Sequence, residues 1–156
     1  SLTQESQVQD LIPVIRVVET LWSGTARKKN ITLTLNCPDS AFCLFDRTMI
    51  ALVIRNLVGN ALKFTPPGGL VSITCLDQAG RILVSVRDNG IGMDGERLQR
   101  LRRGLFGNST SGTDNEKGSG LGLMLCADFI AQHDAVLTID SQAGKGSVFS
   151  FSLPKN

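Results

Sequence analysis

Three short stretches of this sequence place residues whose types and spacing could handle a nucleotide. Asn56, Asn60 and Lys63 follow one another at intervals of four and three, which sets them on one stripe of a helix beside its apolar face. An amide oxygen is a hard ligand suited to Mg2+, and a lysine ammonium meets phosphate oxygens as a point charge. Taken alone, the same stripe more readily fits a solvated helix face. The second stretch is Asp88-Asn89-Gly90-Ile91-Gly92-Met93. Asp88 follows Val84 and Val86 at period two and so points to the core side, where a carboxylate needs a donor. The exocyclic amine of adenine supplies one; guanine presents an oxygen there. Asp-Asn-Gly is also a common turn. The third stretch, Gly118-Ser119-Gly120-Leu121-Gly122-Leu123, opens a helix. Its glycines permit close backbone approach, and free N–H groups at a helix start favour phosphate. A flexible connector explains that loop equally well.

These residues need elements to hold them. Residues 1–9 are polar and read as a tail or linker remnant, with one domain over 10–156. From about Asp10 to Asn30, Leu11, Val14, Ile15, Val18, Leu21 and Trp22 recur at helical spacing, and Pro13 falls where a first-turn proline is tolerated. Ile31–Asn36 alternates as a half-buried strand, and Phe42–Phe45 is a short second one. Asp46 is a fitting N-cap for a helix whose apolar stripe runs through Ile50, Val53, Ile54, Leu57 and Ala61. Thr65-Pro66-Pro67-Gly68-Gly69 stops it near Phe64. Val71, Ile73 and Cys75, then Ile82, Val84 and Val86, form a hairpin about Asp77-Gln78-Ala79-Gly80.

Between Gly90 and about Ser119 no strand is predicted, and nine of the 16 glycines fall within Gly90–Gly122. Such a stretch implies a lid, about residues 93–119, or local disorder. A helix restarts near Leu121 and ends about His133-Asp134, and strands Val136–Asp140 and Ser147–Leu153 follow. The economical architecture is α+β, with a mixed, mostly antiparallel sheet and about three helices layered on one face.

Bulk composition narrows the function classes. The chain has 156 residues, 42% hydrophobic and 19% charged, with net charge +2; it suits one soluble domain and gives no electrostatic case for nucleic acid. No apolar run reaches the length of a membrane span, so this domain is expected to make no membrane contact. Cys37, Cys43, Cys75 and Cys126 show no metal-ligand spacing and sit in apolar stretches, as buried reduced thiols of a cytoplasmic protein do. With no tyrosine and one tryptophan, no platform for stacking bases is evident.

In order and spacing, the three stretches resemble the motifs of the GHKL superfamily, and within it the catalytic and ATP-binding domain of bacterial sensor histidine kinases. Asn56-Leu57-Val58-Gly59-Asn60-Ala61-Leu62-Lys63-Phe64-Thr65 resembles the N box, Asp88–Met93 the G1 box and Gly118–Leu123 the G2 box. Phe106 stands at the F-box position, and Ser109-Thr110-Ser111-Gly112-Thr113 with Glu116-Lys117 is similar to the lid of many hybrid-type kinases. Gly144–Pro154 matches the closing strand. Two departures stand out: Asp134-Ala135 where a glycine is common, and an F box reduced to one Phe.

The resemblance implies the two-layer Bergerat fold with a mobile ATP lid. It implies that Asn60 ligates Mg2+, that Asn56 supports it and that Lys63 reaches the phosphates. Phe64 would pack near adenine, Asp88 would accept from its amino group, and Gly90 and Gly92 would let the chain pass close to the base. The backbone from Gly118 through Ser119, Gly120, Leu121 and Gly122 to Leu123 would embrace the phosphates. Lys117, Arg102 or Arg103 would neutralise the γ-phosphate, and Ser147 would reach the adenine site through water.

Asn56 bears on the reaction. Superfamily ATPases such as DNA gyrase and heat-shock chaperones typically place Glu one turn before the metal-binding Asn, and general-base help is worth roughly 10²–10⁴ in rate. An amide cannot take that proton, so transfer to a better-placed nucleophile is favoured over hydrolysis. The only histidine, His133, is expected to be structural. The acceptor histidine is expected on a dimerisation and phosphotransfer domain preceding residue 1, with a response regulator receiver downstream of it. The fragment is expected to be a cytoplasmic monomer, whose parent is anchored in the inner membrane or free of it. Two other readings are an anti-sigma-type serine/threonine kinase, which usually keeps the Glu, and a nucleotide-binding interaction module, which would be expected to lose Asn60, Asp88 or the glycines.

Overall fold

The computed structural model describes residues 5–107 and 119–156, with the side chains of 119 and 120 outside that description. The elements run β1 (Gln7–Asp10), α1 (Ile12–Lys29), β2 (Thr32–Asn36), β3 (Phe42–Phe45), α2 (Arg47–Lys63), β4 (Leu70–Gln78), β5 (Arg81–Asp88), α3 (Gly95–Phe106), α4 (Ser119–Ala131), β6 (Thr138–Gln142) and β7 (Gly146–Pro154). Five strands form one sheet in the order β2-β4-β5-β7-β6, and β1 and β3 form a separate antiparallel ribbon. Only the β2–β4 pair in the larger sheet is parallel; the other pairs are antiparallel. The expected mixed, mostly antiparallel α+β architecture is the observed one.

One face of the sheet is apolar and carries the helices. Val71, Ile73, Val84, Val86, Phe149, Phe151 and Ile139 point inward and are almost fully buried, against Ile50, Val53, Ile54 and Leu57 of α2. The other face is polar, with Ser85 and Ser150 hydrogen-bonded across the β5–β7 pair at 3.0 Å. Such alternation, apolar toward the helices and polar outward, fixes the register of each strand. Among the described residues no helix is long and apolar enough to cross a membrane.

Two elements lie in stretches where none was expected. Within and just after the expected tail, Gln7 to Asp10 pairs with Phe45 to Phe42; a polar strand covering a ribbon edge has no apolar alternation to announce it. The expected lid of residues 93–119 contains α3, a fourth helix. Asp94 caps it by accepting from the Arg97 N–H at 2.8 Å, and Leu98, Leu101 and Leu105 pack against the core. Those three leucines were a readable helical pattern, obscured by the glycines at both ends.

Candidate nucleotide-binding site

The asparagine stripe rides on α2, and both ends of that helix are fixed. At its start Asp46 accepts from the Met49 N–H at 3.1 Å. At its end Lys29 reaches over from α1 and donates to the Leu62 and Lys63 carbonyls at 2.7 and 3.1 Å, a cation where the helix dipole is negative. Trp22 donates from Nε1 to the Arg55 carbonyl at 3.0 Å, and a Cβ at Gly59 would stand 2.6 Å from its ring. Gly59 therefore serves helix packing. Asn56, Asn60 and Phe64 are half-buried and Lys63 is exposed.

The start of α4 stands beside this stripe. A Cβ at Gly122 would lie 3.9 Å from the Asn56 amide carbon. The nearby Cys126 thiol donates to the Val53 carbonyl at 3.7 Å; burial pushes it up to about 11, and the Asn56 side chain partly pulls it back. Leu123 is buried, whereas Leu121 is exposed. The glycine-rich segment and the asparagine stripe are thus brought together, with α4 offering the free N–H groups of a helix start. Lys117 and Gly118 lie outside the described residues, as do the side chains of Ser119 and Gly120.

Asp88 ends β5 with its carboxylate buried. Its Oδ1 accepts from the Gly90 N–H at 2.8 Å. Burial pushes the Asp88 carboxyl up from its ordinary range, and the backbone N–H groups of Gly90 and Ser147 only partly offset this. The loop then turns under α2, where the Ile91 N–H donates to the Phe64 carbonyl at 3.2 Å.

The two loop glycines stand where backbone closely approaches backbone. A Cβ at Gly90 would stand 2.3 Å from the Phe64 carbonyl oxygen, and one at Gly92, whose φ is +65°, would stand 1.9 Å from the Gln142 carbonyl oxygen. They let the loop press against the end of α2 and against the β6–β7 hairpin. Gly146, not singled out from the sequence, does the same from the other side: its Cβ would meet the Asp88 carbonyl oxygen at 2.0 Å.

Ser147 is buried directly opposite Asp88 in the β5–β7 register. Its hydroxyl lies 2.8 Å from that of Ser141. Ser141 also accepts from the Met93 N–H at 2.8 Å and donates to the Gly146 carbonyl at 3.1 Å. Ser141 therefore locks the loop to the hairpin, a role that a lone serine in a strand does not advertise. Arg97 of α3 was also missed. Its guanidinium lies 5.9 Å from the Phe64 ring centroid, and Lys63 Nζ lies 5.5 Å from it. Phe64 thus gathers two cations near the end of the stripe.

Of the other basic candidates, Arg102 donates to the Ile139 carbonyl and so ties α3 to β6. Arg103 is exposed on α3, and so is Phe106. His133 is buried with both ring nitrogens engaged. Its Nε2 can only accept from the Asp46 N–H at 3.1 Å, so Nδ1 carries the proton and donates to the Phe129 carbonyl at 2.8 Å. This neutral histidine ties the end of α4 to the start of α2.

Among the described residues no group of three or more His, Cys, Asp or Glu side chains could hold a metal. A metal ion carried by a nucleotide needs no such cage: it takes one or two protein oxygens and the phosphates. The half-buried Asn56–Asn60 stripe beside a helix start fits that donor set. On the Asp88 side, a buried carboxylate walled by tightly approached backbone fits a flat base with an amino group.

Comparison with known proteins agrees with this geometry. Residues 45–156 match the family of histidine kinase-, DNA gyrase B- and HSP90-like ATPases. Sporulation kinase C of Bacillus subtilis is 33% identical over 150 residues, covering 95% of this chain but 34% of that protein. The chain thus spans about a third of that relative. The nucleotide-free catalytic domain of the histidine kinase ThkA superimposes with a TM-score of 0.83 at 30% identity, covering 97% of this chain and 98% of that one. A structure of ThkA in complex with the response regulator protein TrrA aligns with a TM-score of 0.79 at 28% identity, over 98% of this chain and 42% of that one. The chain belongs to the histidine kinase-, DNA gyrase B- and HSP90-like ATPase family, on the branch of sensor histidine kinase catalytic domains.

Proposed function

We propose that this domain binds Mg-ATP at the site described and donates the γ-phosphoryl group to a histidine on a separate dimerisation domain. A response regulator receiver domain would then take the phosphoryl group, as the pairing of ThkA with TrrA suggests. The cytoplasm, where ATP is held, is its expected location. Asp88 would accept the adenine amino group on the carboxylate oxygen left over from the Gly90 N–H, and Ser147 would lie close by. Phe64 would pack against the base. Asn60 would offer its amide oxygen to Mg2+, which neutralises phosphate charge when bound, with Asn56 holding the adjoining position. Lys63 and the start of α4, from Gly118 to Leu123, would meet the phosphate oxygens, and Lys117 is the basic residue best placed in sequence to join them.

One observation carries the choice of transfer over hydrolysis. The side chain facing Gly122 at the start of α4 is the Asn56 amide, and an amide cannot take a proton from water. The chain's only histidine is spoken for by two backbone groups, which supports an acceptor located elsewhere. The chain should therefore bind Mg-ATP, turn it over slowly and fail to label itself. Incubating it alone with γ-labelled ATP tests this: radiolabel retained on the chain, or brisk release of phosphate, would overturn the proposal.

A further inference from the structure

Two of the four cysteines meet on the helix-facing side of the sheet, far from the nucleotide site. β2 and β4 run parallel with Leu35 opposite Ile73 and Asn36 opposite Thr74, so the next residue on each strand, Cys37 and Cys75, are neighbours in turn. Both continue the inward positions, Leu33 and Leu35 on one strand and Val71 and Ile73 on the other. Neighbouring strands lie about 4.8 Å apart, inside the roughly 4.4–6.8 Å Cα separation that a disulfide accepts.

The two thiols are not equivalent. The neighbouring Cys75 thiol, together with backbone N–H groups and the Arg16 guanidinium, lowers Cys37 to about 7 against the opposing effect of burial. The Cys37 thiol, then burial, pushes Cys75 upward, with Cys43 and Asp10 adding to it. Cys37 is half-buried and reachable; Cys75 is buried behind it. The Cys37 thiol also donates to the Ile73 carbonyl at 3.6 Å. The other cysteines differ: Cys43 is fully buried with its thiol pushed up to about 12, and Cys126 is bonded within the α2–α4 contact. A half-buried thiol of lowered pKa, one residue past a paired register position and next to a second thiol on the neighbouring strand, is the arrangement of a redox-sensitive pair.

We propose that Cys37 and Cys75 are a peroxide-sensitive modification site that closes into a disulfide between β2 and β4. The Cys37 thiolate attacks hydrogen peroxide; an S–O bond forms as the O–O bond breaks, and the departing hydroxide takes up a proton as water. Cys37 is then a sulfenic acid. Cys75 Sγ attacks Cys37 Sγ, an S–S bond forms as the S–O bond breaks, and the Cys75 proton leaves with that oxygen as a second water. The two thiols lose two electrons in all, which peroxide accepts. The product is a tie on β2, an edge strand of the larger sheet. Along β4 the pair lies four residues beyond Val71, the partner of Asp88, about 13 Å at the usual rise per residue. Nucleotide binding therefore serves as an independent check that the fold survives treatment.

The test is to expose the chain to hydrogen peroxide at neutral pH, block remaining thiols by alkylation, and map peptides without reduction. Expected are the loss of two alkylatable thiols, a mass lower by two hydrogens, and one cross-linked pair joining Cys37 to Cys75, all reversed by dithiothreitol with nucleotide binding retained. Cys37→Ser should leave the other three thiols alkylatable, and Cys75→Ser should leave Cys37 as a sulfenic acid that dimedone traps. A Cys37 that stays alkylatable, that passes to sulfinic acid without cross-linking, or that pairs with another chain would overturn the proposal. So would a bond between Cys43 and Cys75.

Discussion

At the residue scale, the role proposed for Asp88 sets function against stability. Its carboxylate is buried, and burial raises its pKa above the ordinary value. Below a pH of about 4 the carboxyl is protonated in folded and unfolded chains alike and costs nothing. Above its raised folded value the fold holds an ionised group that the unfolded chain would solvate, so Asp88 subtracts from stability at neutral pH. Asp88→Asn should thus leave the thermal midpoint at pH 7 unchanged or higher. It should weaken ATP binding by roughly 10–100-fold, the worth of a hydrogen bond to a charged group. A variant that melts well below the parent in calorimetry would show the carboxylate to be structural. Asn60→Ala should remove the gain in ATP affinity that Mg2+ provides while leaving metal-free binding nearly as it was; equal affinity with and without Mg2+ in the parent chain would refute the metal role. Asp88, Asn60 and Lys63 were legible because period two and helical spacing state which way a side chain faces. Ser141 and Gly146 were not, since their importance comes from the hairpin folding back onto the loop, a contact between residues 48 apart in the case of Met93 and Ser141.

At the scale of elements, the helices present the site and small devices hold the helices. Asp46 begins α2 and is met there by His133 from the end of α4. Burial pushes its carboxyl up, but backbone N–H groups of Glu5, Met49 and Thr48 outweigh that and hold it below the ordinary range. A depressed pKa gives stability that is present above about pH 4 and lost as pH falls through the lower folded value. Asp46→Ala should therefore cost about 1–2 kcal/mol in urea unfolding at pH 7, with the gap to the parent narrowing in acid. A gap that stays constant down to pH 2 would mean that the charge contributes nothing. The turn after α4 explains a departure noted in the sequence: Asp134 has φ +57°, the left-handed conformation that glycine favours and that aspartate tolerates better than most. Element type was readable from periodicity for α1, α2 and the β4–β5 hairpin. It failed for β1, whose partner strand lies far along the chain, with Gln9 opposite Cys43, and for α3, whose leucines were outvoted by flanking glycines.

On the scale of the whole molecule, a two-layer fold with one polar sheet face leaves its chemistry at one end of the helical layer. There α2, α4 and the loop after β5 converge. The chain supplies a buried carboxylate at Asp88, a pair of amides and a lysine, and no carboxylate at position 56 to activate water. On the function proposed above, that is the outfit of a donor that waits for its nucleophile. The direct test is to mix this chain with the separately made dimerisation domain of its parent and γ-labelled ATP. The account predicts acid-labile label on the dimerisation domain and none on this chain. Label retained here, or phosphate released as fast without the dimerisation domain as with it, would contradict the account.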